Sequence, residues 1–215
     1  MLAWEEIEAS LQKKKLSLGL KRAMDIVLSA FGIAVLSPVL AIIAIAIVLD
    51  SKGGVFYRQV RVGKDGKEFR IFKFRSMVSD ADKRGLLITV GADSRITRVG
   101  KILRKTKLDE LAQLFNVFIG DMSFVGPRPE VPRYVAMYTP AQRNVLLVRP
   151  GITDYASVAY RDENDLLEGA DDPERIYIEQ IMPAKLELNR QYLSQIGVWT
   201  DIKLIFATVM AVVKG

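Results

Sequence analysis

Between Ile26 and Leu49 the chain runs for 24 residues without a charge, as IVLSAFGIAVLSPVLAIIAIAIVL. About 20 apolar residues make a helix long enough to cross the hydrocarbon core of a bilayer. Backbone polar groups have no water to turn to there, so the segment must be helical. Ser37-Pro38 sits at its middle. A proline at that position removes an intrahelical hydrogen bond and crowds the preceding turn. The same residues therefore allow two paths. One is an ordinary proline-kinked spanning helix. The other is a helix–break–helix that dips into one leaflet and returns, with Ser37 helping to satisfy the freed backbone.

Charge on either side bears on this choice. Lys21 and Arg22 precede the segment. Lys52, Arg58, Arg61, Lys64, Lys67, Arg70, Lys73 and Arg75 follow it, opposed through residue 75 by Asp65 and Glu68. A spanning helix concentrates positive charge on one side. Basic flanks at both ends suit re-entry from the cytoplasmic face.

The 215 residues suit one globular domain plus a membrane segment, divided as 1–20, 21–50 and 51–215. With 31 Lys+Arg against 25 Asp+Glu, the net charge of +6 admits anionic lipid, nucleic acid or phosphorylated substrates as partners. Cysteine and histidine are both absent. That removes thiolate and imidazole chemistry, and leaves carboxylates, Lys, Arg, Tyr and Ser/Thr to do any work. A bound metal would have to be a hard cation on oxygen ligands.

Before the apolar run, Leu2, Trp4, Ile7 and Leu11 share a helical face ahead of Lys13–Lys15. This is the pattern of a short amphipathic helix lying on an anionic surface. Past the run, residues 69–75 alternate as a strand, with Phe72 and Phe74 on one face and Lys73 and Arg75 on the other. Val62–Lys67 reads as the turn of a hairpin. Arg95–Lys107 is a basic run in which helical spacing groups Arg98, Lys101 and Lys105. A helix is expected over Thr106–Phe118, with Thr106 as N-cap and Leu108, Leu111, Phe115 and Phe118 as its apolar stripe. Residues 162–187 carry nine acids against Arg175 and Lys185, so they should face away from anionic lipid. Leu204–Val213 is too short to span and reads as a core or interfacial helix.

Asp109-Glu110 is the most suggestive pair. Acids in a first turn often do no more than cap a helix. This pair, however, follows a basic run and precedes Gly126-Pro127-Arg128-Pro129, where two prolines stiffen the backbone around one guanidinium. Arg149-Pro150-Gly151 repeats that device.

Taken in order, these pieces resemble a known family. They are Lys21-Arg22, Ser37-Pro38, Phe72-Lys73-Phe74-Arg75-Ser76-Met77, Leu108-Asp109-Glu110-Leu111, Gly120-Asp121-Met122-Ser123, Gly126-Pro127-Arg128-Pro129-Glu130 and Arg149-Pro150-Gly151-Ile152-Thr153. From residue 21 onward the chain is similar to the bacterial sugar transferases that act as small monotopic polyprenyl-phosphate phosphoglycosyl transferases. The resemblance implies an α/β (α+β), helix-rich monotopic protein. A re-entrant helix broken at Ser37-Pro38 would carry a cytoplasmic catalytic domain with a small hairpin or sheet, on the cytoplasmic leaflet of the bacterial inner membrane. It implies transfer of a phosphosugar from a UDP-sugar donor to undecaprenyl phosphate, with release of UMP. Asp109 would be the nucleophile, Glu110 its partner, and both would be ligands of Mg2+. Lys73, Arg75, Arg104, Arg128 and Arg149 would contact the substrate phosphates. Membrane phospholipids are expected partners, nucleic acid is not, and a homodimer is compatible with the sequence. Residues 151–164 depart from the pattern of many larger relatives, so the resemblance names no sugar.

Two other readings compete. A membrane-tethered basic module that binds lipid or nucleic acid without catalysis would explain the charge, but not an acidic pair beside proline-stiffened arginines. Single-stranded nucleic acid would also call for interleaved aromatics, and Arg95–Lys107 has none. A spanning anchor with an extracytoplasmic domain would separate the enzyme from cytoplasmic nucleotide sugars.

Overall fold

A computed structural model describes residues 2–79, 81, 93–160 and 172–214. The fold is helix-rich, with two small two-stranded sheets. Its longest element, α2 (Lys15–Asp50), contains the whole apolar run. It is the one helix among the described residues long and apolar enough to cross a membrane. The helix continues through Pro38, where the sequence pattern places a break. The local chemistry explains how. Pro38 has no N–H to give the Ala34 carbonyl, and the Ser37 hydroxyl donates to that oxygen instead, at 2.8 Å.

Both ends of α2 are fastened to the same domain. Near its start, Lys21, Asp25 and Ser29 are buried. Near its end, Leu40, Ile43 and Ile47 pack with Phe74, Leu103 and Ala112. Asp50 then accepts a hydrogen bond from the Val99 N–H. The remaining faces stay apolar and uncovered, including Phe31, Val35, Ile42 and Leu49. Lys21 is therefore not a free basic flank. It donates to the Asp201 carboxylate and to the Val125 carbonyl inside the fold.

The N-terminal helix α1 (Trp4–Lys13) also departs from expectation. Ile7 and Leu11 are buried in the main core, and Leu2 and Trp4 pack against it. The stripe that suits a membrane surface is thus spent on the domain. It is covered because Asn144 donates to the Trp4 carbonyl and Arg190 to that of Leu2.

The hairpin is as expected. Strands β1 (Phe56–Val62) and β2 (Glu68–Phe74) pair antiparallel, with Phe56 opposite Phe74 and Val62 opposite Glu68. The turn between them uses Asp65 and Gly66 at positive φ. Helix α3 (Arg98–Lys105) exposes Arg98, Lys101 and Lys105 and buries Leu103, in line with the spacing. The next stretch is divided. Lys107 is left-handed, a 3-10 turn covers Leu108–Ala112, and α4 (Gln113–Ile119) follows. Thr106 is not an N-cap: it closes the C-terminal end of α3, and its hydroxyl bonds back to the Ile102 carbonyl. Phe118 leaves the stripe and is exposed.

Two short parallel strands, β3 (Ser123–Val125) and β4 (Gly151–Thr153), set up the second half. Gly126 and Gly151 let them meet, since a Cβ on Gly151 would stand 2.1 Å from the Gly126 nitrogen. Helix α5 (Pro132–Val135) follows β3, and α6 (Tyr155–Ala159) follows β4. Helix α7 (Pro173–Ile176) runs through a π-helical turn, Tyr177–Ile181, into α8 (Met182–Gln195). The last helix, α9 (Val198–Lys214), serves as both core and interface. It buries Asp201 and Leu204 and exposes Trp199, Ile202, Phe206, Val209 and Met210. Part of the acid-rich stretch, 162–171, lies outside the described residues.

Candidate active site

Asp109 and Glu110 occupy the 3-10 turn that the left-handed Lys107 makes possible. They line a cleft of about 590 Å³ together with Lys73, Arg104, Lys107 and Arg128. Its lining also includes residues of α6, α8 and α9, among them Ile205 and Val209. It therefore joins a charged floor to an apolar wall continuous with the exposed face of α9.

The floor is held from several directions. Lys73 projects from β2 and donates to Glu110 Oε1 at 3.1 Å. Arg128 donates to the same oxygen at 2.5 Å. The loop carrying Arg128 is fixed at its backbone, because Arg128 N–H donates to buried Asp154 and Arg61 donates to the Pro129 carbonyl. Asn116 ties the dyad's helix to the hairpin by accepting from Phe72 N–H and donating to the Arg70 carbonyl. Asp154 and Asn116 are not among the residues singled out from the sequence. Asn116 does carry a visible signal, as a polar residue within the apolar stretch LFNVF.

The two carboxylates have opposite surroundings. Glu110 is opposed by burial, but Arg128 and Lys73 outweigh that cost and hold its carboxyl far below the ordinary range. Asp109 is 8% exposed, and burial pushes its carboxyl up, with Lys73 pulling the other way and the Glu110 charge adding to the rise. Its Oδ1 has no hydrogen-bond partner. The benefit expected from a helix N-terminus does not dominate here. Burial also lowers the Lys73 ammonium, against the attraction of Glu110.

Lys73, Arg104, Asp109, Glu110 and Arg128 thus converge, and two expected phosphate ligands do not. Arg75 is buried and donates to the carbonyls of Ser51 and Lys52 at the end of α2. Arg149 donates to the Gly120 carbonyl at the end of α4, beside Arg22. Both neutralise the carbonyl end of a helix, a role that alternation and proline flanks cannot distinguish from phosphate binding.

No group of three or more acidic side chains placed to hold a metal ion exists among the described residues. A magnesium site of one or two carboxylates completed by substrate phosphates nevertheless fits. Asp109 Oδ1 is an unpartnered carboxyl oxygen, and Glu110 Oε2 has a single long contact to Arg128, at 3.4 Å.

Comparison with known proteins places these residues in context. The family model described as "Bacterial sugar transferase" matches residues 16–215. The chain is 38% identical over 199 residues to the Aeromonas hydrophila UDP-N-acetylgalactosamine-undecaprenyl-phosphate N-acetylgalactosaminephosphotransferase, covering 91% of this chain and 44% of that protein. It is 40% identical over 194 residues to the Escherichia coli UDP-glucose:undecaprenyl-phosphate glucose-1-phosphate transferase, covering 88% and 39%. It is 37% identical over 211 residues to the exopolysaccharide production protein PSS of Rhizobium leguminosarum, covering 91% and 96%. The chain thus spans about two fifths of the first two relatives and nearly all of the third.

Proposed function

Because the chain belongs to the bacterial sugar transferase family, we propose that it moves a phosphosugar from a UDP-sugar to undecaprenyl phosphate. The carrying observation is a buried carboxylate with an unpartnered oxygen, Asp109, beside an ion-paired Lys73–Glu110–Arg128 floor. An Asp109 oxygen attacks the β-phosphorus of the donor. A bond forms between that oxygen and phosphorus, and the bond to the α-phosphate oxygen breaks, its electron pair leaving with UMP. A phosphate oxygen of undecaprenyl phosphate then attacks the same phosphorus. The aspartyl bond breaks, Asp109 is regenerated as a carboxylate, and the product is the polyprenyl-diphosphate sugar.

Lys73, Arg104 and Arg128 counter the negative charge that would otherwise repel an attacking carboxylate. Arg104 brings an unsatisfied buried nitrogen, Nη1, to this task. Asp109 and Glu110 would hold magnesium, which when bound would offset charge on the diphosphate. The apolar wall on α9 suits the lipid tail of the acceptor. The direct test is UMP release over a panel of UDP-sugars, with undecaprenyl phosphate and magnesium. Absence of UMP from every donor would sink the proposal.

The pH profile should report Asp109. The nucleophile must be ionised, so kcat/KM falls as pH drops through its raised pKa. Lys73 is the main cation pulling that value down, so Lys73→Met should move the acid limb to higher pH. A limb that stays put would separate the titrating group from Asp109.

The fastening of α2 supports one membrane path over the other. Residues Lys21 and Asp50 both bond to the one domain, so a helix crossing the bilayer would have to part from it at one end. We assign α2 to one leaflet, with both ends on the cytoplasmic side of the inner membrane. Because the chain has no cysteine, single cysteines at Ser17 and Ser51 are unambiguous reporters. Both should label from the cytoplasmic side, and labelling from opposite sides would refute this path.

A further inference from the structure

Asn189 on α8 is 6% exposed, and its Oδ1 has no hydrogen-bond partner. A buried carbonyl oxygen in that state carries its desolvation cost with no return. The residue lines the cleft that holds Asp109 and Glu110. It also borders a small cavity beside the Pro127–Glu130 loop, so it stands next to the Arg128 clamp. On α6, Ser157 lines the same cleft, and its buried Oγ is likewise unpartnered. Asp109 Oδ1 and Arg104 Nη1, in the same lining, are orphans already assigned to the reaction, whereas other buried groups around Asn189 and Ser157 are satisfied. Asp154 accepts from the N–H groups of Arg128 and Ser157, and Tyr192 donates to Asp201. Two buried orphan atoms, on two helices whose residues line one cleft, are what a site missing its ligand looks like.

We propose that Asn189 accepts a hydrogen bond from a hydroxyl of the transferred sugar, with Ser157 as a second contact, and so selects among donors. The inference rests on the reaction proposed above. The orphan atom is an acceptor and calls for a donor, which a sugar hydroxyl supplies and an ionised phosphate oxygen does not. Its place favours the sugar over the nucleoside. The sugar is bonded to the phosphorus that Asp109 attacks, whereas the nucleoside lies one phosphate further away. A site built to bond a hydroxyl discriminates against a donor lacking it, because its own polar group is then left unpaired.

The test uses the full chain in detergent or nanodiscs and UDP-hexoses that differ at C2, C4 or C6. For Asn189→Leu, kcat/KM for the preferred donor should fall on the order of 10-fold more than for the donor altered at the recognised position. Inhibition by UMP should stay unchanged. The Tm without donor should hold or rise, since the variant removes an orphan polar atom. Asn189→Asp keeps an acceptor oxygen and should restore the discrimination. Equal loss across all donors, weaker UMP inhibition, or a lowered Tm with unchanged ratios would each overturn the proposal. A wild-type protein silent on the whole panel would sink the reaction as well. An active wild type whose ratios survive Asn189→Leu sinks this inference alone.

Discussion

Purified Asp109→Asn protein is expected to fold, bind membranes and release UMP from a UDP-sugar on the order of 10⁴-fold more slowly, the scale of losing a covalent nucleophile. The amide nearly matches the carboxylate in shape, and Oδ1 has no partner to lose. The stability change has a definite sign. Burial raises the folded-state pKa of Asp109, so the folded protein favours the neutral form more than the unfolded chain does. That contribution to stability is present at low pH and is lost as pH rises through the folded value. A permanently neutral amide at this position should therefore leave Tm unchanged or raise it. Intact-mass analysis supplies the second readout. Wild-type protein given donor without acceptor should gain the mass of a phosphosugar, and the variant should not. A phosphosugar adduct on the variant, or undiminished UMP release, would remove Asp109 from the nucleophile's role.

The hairpin was legible because it is a local pattern, whereas Asp109-Glu110 alone reads as helix capping and stood out through its setting and the family resemblance. Period-two alternation places Lys73 opposite Phe72 and Phe74, and its ammonium meets Glu110 as that geometry requires. Arg128 likewise announces itself through Pro127 and Pro129. What could not be read was the partner that each remaining charge finds. Arg75 and Arg149 look like Arg128 in sequence, yet they end on helix carbonyls. Lys21 looks like a basic flank of the apolar run, yet its partner lies 180 residues away. The stripe of α1 has the pattern of a surface-bound helix. Whether it meets lipid or core depends on α8, whose position is tertiary information. Pro38 shows the same limit at shorter range. The proline was legible, but the helix runs on through it, and the bond from the Ser37 hydroxyl to the freed Ala34 carbonyl depends on a rotamer.

The Lys21–Asp201 pair is where α2 should prove inseparable from the rest of the fold. Both side chains are buried, with Asp201 fully so. Removing one partner leaves an uncompensated charge, at a cost of about 3–5 kcal/mol. Lys21→Met would leave Asp201 with only the Tyr192 hydroxyl, at 2.8 Å. Asp201→Leu would leave the Lys21 ammonium with only the Val125 carbonyl. Each single variant should therefore unfold at markedly lower denaturant or temperature. The double variant Lys21→Met/Asp201→Leu replaces the pair with apolar groups of similar size and should recover most of the loss, with Tyr192 still able to donate to Val125 at 3.2 Å. The consequence reaches the active site by a short route. Lys21 and Tyr192 both bond to Val125, the last residue of β3, and the next residues are Gly126–Glu130, which carry Arg128. Activity in the single variants should accordingly fall with stability and return in the double. A cost below about 1 kcal/mol in both singles, the range of exposed ion pairs, would show that α2 is not held to the domain by this contact.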